Sequence, residues 1–174
     1  MTDIEIRSSR QADRAQLDAL YPQAFPEEDL LPVLGRLLEA PNDILSLVAC
    51  HGEQPAGHVI FTRCTVDATG ERAALLGPLC VAPELQRQGI GGKLIREGLA
   101  LLAAEGIGPV YVLGDPAYYS RHGFSTETGA ATPYPLPADW GDAWQSQCLI
   151  PAHKMPSGTL VVPKPWQDPV LWAA

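Results

Sequence analysis

The chain has 174 residues, 46% of them hydrophobic, with 12 Lys and Arg against 20 Asp and Glu and a formal net charge of −8. This is enough apolar content for one domain with its own core, and the acidic balance argues against a nucleic-acid or anionic-membrane surface, because no basic stripe is available to neutralise phosphates. Met1 to Arg7 contain no apolar signal region, and no uninterrupted apolar run approaches the roughly 18 residues of a bilayer span, so a soluble cytoplasmic protein without a membrane partner is expected.

In chain order, Ile4 to Arg7 reads as a first strand. Asp13 to Ala24 and Glu27 to Glu39 read as helices separated by Pro26. Leu45 to Cys50 and Gly57 to Val66 form a predicted hairpin across the turn-like segment His51-Gly52-Glu53-Gln54-Pro55. Ala73 to Val81 is the next strand. Gly77-Pro78 inside it predicts a bulge or bend, because Pro donates nothing to a ladder and Gly packs poorly. Leu94 to Glu105 has helical spacing, with Leu94, Ile95, Leu99 and Leu102 on one face and Gly106 at the C-terminal cap position. Gly98 lies on that apolar face, where a glycine costs about 1 kcal/mol relative to Ala, and it predicts close approach to a strand. Val110 to Leu113 is a short buried strand. Gly114-Asp115-Pro116 breaks it, and Ala117 to Arg121 makes about one helical turn before Gly123.

The last quarter, about 132–174, is rich in proline and holds all four tryptophans, Trp140, Trp144, Trp166 and Trp172. Cys148 to Ile150 and Thr159 to Val162 are expected to complete the sheet. The rest of that segment reads either as a substrate wall or homodimer contact, or as ordinary packing of a long loop. No repeat or second domain is apparent, so residues 1–174 are expected to form a single domain. Cys50, Cys64, Cys80 and Cys148 show neither C-x-x-C pairing nor histidines at ligand spacing, so no metal site and no disulfide framework are expected.

The segment that carries chemistry is Gln86-Arg87-Gln88-Gly89-Ile90-Gly91-Gly92-Lys93, between the apolar strand and the helix. Gly89, Gly91 and Gly92 remove the Cβ atoms that would hold an anion off the backbone, the following helix offers free N–H groups, and Arg87 and Lys93 add cationic side chains. A dinucleotide fingerprint starting at Gly89 needs a small residue where Leu94 stands. A Walker loop ending in Gly92-Lys93 needs glycine at Arg87 and a hydroxyl at Leu94. Both patterns fail, and Q-x-x-G-x-G remains.

Gln86, Gly89 and Gly91, following an apolar strand, resemble the acyl-CoA loop of the GCN5-related N-acetyltransferase (GNAT) family. The resemblance extends to Tyr118-Tyr119-Ser120-Arg121-His122-Gly123-Phe124, which is similar to the family's segment of Tyr, a short spacer and Gly-Phe. It implies an α/β fold with a central, mostly antiparallel sheet, a splayed parallel strand pair and flanking helices. It further implies that residues 86–93 bind the acetyl-CoA pyrophosphate and that Leu79, Cys80 and Val81 hold the pantetheine arm. Tyr119 becomes the acid that protonates the leaving thiolate, and a backbone N–H near Leu79 to Val81 becomes the oxyanion donor. Cys80 lies beside the thioester on this alignment and otherwise reads as a small buried hydrophobe.

The chain departs from the family pattern at Val112, where an asparagine is often found. Asp115 reads as its replacement or as a helix cap. No base is identified: Glu27, Glu28 and Asp29 lie on the family's substrate wall but also suit a helix start, and His58 and His122 qualify by chemistry alone. The implied activity is transfer of acetyl from acetyl-CoA to a small-molecule or peptide amine. A non-catalytic acyl-CoA-binding module is the alternative, and a nucleotide-binding protein ranks third.

Overall fold

The computed structural model describes residues 3–173. The chain clusters into two compact units, one comprising the chain up to Phe61 with Pro78–Gly98, the other Thr62–Gly77 with the chain from Leu99 onward. Among the described residues, no helix is long and apolar enough to cross a membrane.

The first unit opens with β1 (Ile4–Ser8) and continues through α1 (Arg14–Ala24), α2 (Leu31–Leu38) and β2 (Ile44–His51). It also holds the start of β3 (Gln54–Val66), the end of β4 (Glu71–Val81) and the first residues of α3 (Ile90–Ala104). β1 pairs antiparallel with β2 from Ile4↔His51 to Ser8↔Leu47, and the sheet order here is β1-β2-β3-β4. The β2–β3 turn is only Gly52-Glu53, with Gly52 at φ 65, so Pro55 falls inside β3 rather than in the turn. Leu17, Leu20 and Tyr21 of α1, Val33, Leu34 and Leu37 of α2, and Leu94 and Ile95 of α3 are buried, as helical spacing requires of faces turned to a core. Arg7 grips the buried Asp13 carboxylate with two hydrogen bonds of 2.8 Å. The Arg10 backbone N–H donates a third at 2.7 Å.

In the second unit, the start of β4 pairs parallel with β5 (Pro109–Leu113), from Ala74↔Val110 to Leu76↔Val112. After β5 come α4 (Pro116–Tyr119), β6 (Ser125–Thr126), β7 (Ala130–Ala131), β8 (Trp144–Cys148) and β9 (Gly158–Val161). β8 runs antiparallel to β5 and to β6, and β9 runs antiparallel to the end of β3 and parallel to the short β7. The sheet is thus mixed, with helices flanking it, as expected of this fold. The parallel register of β4 and β5 ends at Leu76, one residue before Gly77, whose φ of 143 marks the predicted bend.

Two predicted strand bounds in this unit need correction, the smaller being β9, which spans Gly158–Val161 and not Thr159 to Val162. β8 occupies Trp144–Cys148, not Cys148 to Ile150. Its Gln145 and Ser146 are buried but satisfied: Gln145 donates to the Gly114 carbonyl at 3.2 Å and Ser146 to Glu127 at 2.6 Å. The tryptophan-rich segment packs on this unit's core. Trp144 stacks on Tyr111 at 5.4 Å, Trp172 meets Trp144 and Trp166 edge-on, and the indole N–H groups of Trp144, Trp166 and Trp172 all find acceptors.

Candidate functional site

The β4–α3 connection is built by one short turn, Pro83–Leu85, after which Gln86 is extended (φ −66, ψ 158). The Gln86 side chain donates to the Val81 carbonyl at 3.1 Å, tying the loop back to the end of β4. Arg87 takes φ 66, the only positive φ outside glycine among the described residues, and Gly89 takes φ 83. The first bond of α3 runs from the Lys93 N–H to the Gly89 carbonyl at 3.0 Å. The N–H groups of Ile90, Gly91 and Gly92 therefore precede the helical ladder and have no carbonyl four residues back within it.

α3 starts at Ile90, four residues before the expected Leu94, so Ile90 to Lys93 form its first turn and not an extended loop. The cause is burial. Ile90 and Leu94, one turn apart, are both buried, and a Cβ on Gly57 of β3 would come within 3.2 Å of each of them and of the Cys80 carbonyl. That tertiary contact outweighs the poor helix propensity of Gly91 and Gly92. Gln86, Arg87, Gln88, Gly89 and Lys93 remain exposed, leaving two cationic side chains beside the open turn.

Leu79, Cys80 and Val81 close β4, with Cys80 buried and its neighbours half-buried. The Cys80 thiol is pushed up to about 12 by burial, partly offset by hydrogen bonds to the Tyr21 hydroxyl and the His58 backbone. A thiol so placed stays protonated at neutral pH and is a poor nucleophile. Behind it lies a polar cluster that the sequence did not reveal. The Tyr21 hydroxyl is 2.7 Å from His58 Nδ1, the Ser46 hydroxyl is 2.7 Å from His58 Nε2, and Ser9 Oγ is 2.6 Å from Ser46 Oγ. Burial lowers the His58 pKa to about 3, so the imidazole is neutral. These residues come from α1, the β1–α1 loop, β2, β3 and β4, so no spacing along the chain could have grouped them.

Glu27, Glu28 and Asp29 do not open a helix as expected: α2 begins at Leu31, and the three acids form an exposed turn. With Tyr21, Phe25 and Leu31 they line a cavity of about 340 Å³. A larger cavity of about 680 Å³ is lined by Ser9, Arg10, Arg14, Glu39 and Ser46 among others.

In the second unit, Asp115 caps α4 by accepting from the Ala117 N–H at 3.0 Å, which is its capping role. Tyr119 ends α4 half-buried, edge-on to Tyr118 and to Phe124 at centroid distances of 5.0 and 5.8 Å. A Cβ at Gly114 would stand 2.5 Å from the Tyr119 ring, so only glycine leaves the ring its place. Burial, then Tyr118 and Asp115, raise the Tyr119 pKa well above that of an ordinary phenol, so the hydroxyl is protonated at neutral pH. Gly123 at φ 88 turns the chain so that Phe124 is buried. Val112 is buried in β5, paired to Leu76 and Gln145. His122 packs its ring against Tyr118 at 4.9 Å.

Residues 12–124 match the model of the acetyltransferase (GNAT) family. The chain is 34% identical over 145 residues to the uncharacterised N-acetyltransferase YjhQ of Escherichia coli (strain K12), covering 79% of this chain and 80% of that one. It is 37% identical over 122 residues to the uncharacterised N-acetyltransferase YhbS of the same strain, covering 68% and 72%. Among solved structures, YhbS from Escherichia coli in complex with CoA aligns with a TM-score of 0.84 and 29% identity, over 97% of this chain and 94% of that one. A GNAT family acetyltransferase from Brucella melitensis in complex with acetyl-CoA aligns with a TM-score of 0.76 and 30% identity, over 96% and 100%. The chain belongs to the acetyltransferase (GNAT) family and is an acyltransferase of that kind.

Proposed function

We propose that residues 1–174 act as one domain that transfers the acetyl group of acetyl-CoA to a primary amine, on a small molecule or a peptide, by direct attack. The observation that carries this is the β4–α3 turn: two left-handed residues, Arg87 and Gly89, either side of Gln88, a helix start with unladdered N–H groups, and a Gln86 clip to Val81. This arrangement fits a pyrophosphate, because backbone donors and the helix dipole converge where Arg87 and Lys93 are exposed. That relatives of similar fold were solved with CoA and acetyl-CoA supports the same co-substrate here.

On this reading Gln86 to Lys93 hold the pyrophosphate and Leu79, Cys80 and Val81 align the pantetheine arm. The neutral amine attacks the thioester carbonyl, forming a C–N bond and an oxyanion that a backbone N–H of the 79–81 segment stabilises. Collapse of the intermediate breaks the C–S bond, the amine nitrogen gives up a proton that reaches water, and Tyr119 gives its phenolic proton to the CoA thiolate and is reprotonated from water. The exposed acids lining the cavity beside Tyr21 favour a cationic acceptor, which suits the net charge of −8.

The test is Tyr119→Phe. Its rate of CoA release with an accepted amine should fall by roughly a hundredfold, the usual scale for a lost general acid, with acetyl-CoA affinity retained. Unchanged turnover removes Tyr119 from the acid role.

A further inference from the structure

The buried polar chain of the first unit connects two cavities. Its inner end is the Tyr21 hydroxyl, in contact with the Cys80 thiol. Tyr21 also lines the smaller cavity with Glu27, Glu28 and Asp29. Its outer end is Ser9, which with Ser46 lines the larger cavity beside Arg10, Arg14 and Glu39. The three links measure 2.7, 2.7 and 2.6 Å, each of hydrogen-bond length with a group able both to donate and to accept on either side.

Such a chain is more than a way to satisfy buried groups. A histidine placed only for packing could be replaced by an apolar side chain without leaving anything unpaired, whereas His58 is fully buried with both ring nitrogens committed to hydroxyls. The groups on its ring are Tyr21 from α1 and Ser46 from β2; Cys80 of β4 meets the Tyr21 hydroxyl and the His58 backbone, and the charge of Asp13 acts from further off. Burial disfavours an imidazolium here more than the Asp13 charge favours it, so a proton can be passed on but not stored there.

We propose that Tyr21, His58, Ser46 and Ser9 form a proton relay that carries the proton released by the acceptor amine to solvent. The proposal rests on the acetyl-transfer reading above, which puts the thioester beside the strand segment containing Cys80. One proton enters at Tyr21 Oη as the phenolic proton moves to His58 Nδ1. The Nε2 proton passes to Ser46 Oγ, the Ser46 proton to Ser9 Oγ, and the Ser9 proton to water. One proton enters and one leaves, and no group ends charged. In the structure Ser9 donates to Ser46, which is the orientation the chain has after a transfer; rotation of the hydroxyls and a flip of the imidazole restore the starting orientation before the next turnover. This supplies the missing base without any single carboxylate: the acceptor of the amine proton is a hydrogen-bonded chain ending in bulk water.

The experiment is the pH–rate profile of amine acetylation, with acetyl-CoA affinity measured by calorimetry on the same samples. The wild type is compared with Tyr21→Phe, Ser46→Ala and Ser9→Ala, the last two at half-buried residues of the outer end, with folding of each variant checked by its unfolding transition. Each variant should bind acetyl-CoA as the wild type does and lose about a hundredfold in kcat at neutral pH, the scale of lost proton transfer. The loss should shrink as pH rises, because hydroxide then takes the proton that the nitrogen releases after attack. A loss that is the same at every pH, or no loss in Ser46→Ala and Tyr21→Phe while the wild type is active, overturns the relay alone. A wild type that acetylates no amine across a broad panel overturns both the relay and the reading beneath it.

Discussion

Replacing Gly98 by Ala puts the packing of α3 on β3 to a quantitative test. An alanine Cβ at that position would stand 2.1, 2.6 and 2.9 Å from three carbons of the Phe61 ring, where the preferred carbon separation is about 3.5 to 4.0 Å. Phe61 is fully buried, so its ring has no free volume to retreat into. Helix propensity favours alanine by about 1 kcal/mol, while overpacking of a tight core costs about 1 to 3 kcal/mol, and a clash this short belongs at the upper end. The expected net destabilisation is about 2 kcal/mol, or about 4 to 8 °C in Tm for a chain of this size. Thermal and urea unfolding of Gly98→Ala, of Phe61→Leu and of the double variant measure it. The double variant should be more stable than the sum of the single effects by at least about 0.5 kcal/mol, because the leucine vacates the space that the new methyl needs. If Gly98→Ala alone raises the stability, as it would at a solvent-facing glycine, the close approach is wrong.

Stability should fall on acidification through two groups of the same sign. His58, with its pKa lowered to about 3 by burial, contributes stability that is lost as pH falls below the unfolded value of about 6.5, at roughly 1.4 kcal/mol per pH unit. Asp13, held low chiefly by its hydrogen bonds from Arg7, adds a loss only at more acidic pH, as pH falls below the ordinary carboxylate range. Urea midpoints between pH 7.5 and 5 report the first effect, and a flat profile there contradicts it. Arg87→Gly should separate fold from function. It relieves a left-handed backbone that a side chain disfavours, by about 1 kcal/mol, yet it removes a cation from the proposed cradle. A Tm equal to or above that of the wild type is expected, with acetyl-CoA binding weakened roughly fivefold as for a solvent-exposed ion pair. A lower Tm, or unchanged affinity, goes against that assignment.

What the sequence revealed and what it hid divide along one physical line. Local chemistry was legible: Gly106 at φ 84 ends α3, Gly123 turns before Phe124, and Gly52 makes the β2–β3 turn, because only glycine adopts these angles freely. Gly98 was legible too, since an apolar helix face has no other reason to carry a glycine. The Q-x-x-G-x-G spacing sufficed to suggest the family. Tertiary effects were not legible. α3 begins at Ile90 because its side chain is buried with Leu94, which no propensity scale contains. β8 looks polar because Gln145 and Ser146 are buried with partners on other segments. Glu27 to Asp29 looked like a charged helix start, yet α2 waits until Leu31 and buries Val33, Leu34 and Leu37. The Tyr21–His58–Ser46–Ser9 chain was invisible for the same reason, because its members meet only after folding.

The most direct test of the central claim is a calorimetric titration of the protein with acetyl-CoA, repeated on a Gly89→Asp, Gly91→Asp double variant. The two carboxylates put like charge where the pyrophosphate is proposed to sit, and Gly89 in addition adopts φ 83, which a side chain resists. Saturable one-to-one binding by the wild type, abolished in a variant that remains folded, is the predicted result. Wild-type protein that is folded and takes up no acetyl-CoA, or a variant that binds as tightly as the wild type, contradicts the account of the β4–α3 turn as the acyl-CoA cradle.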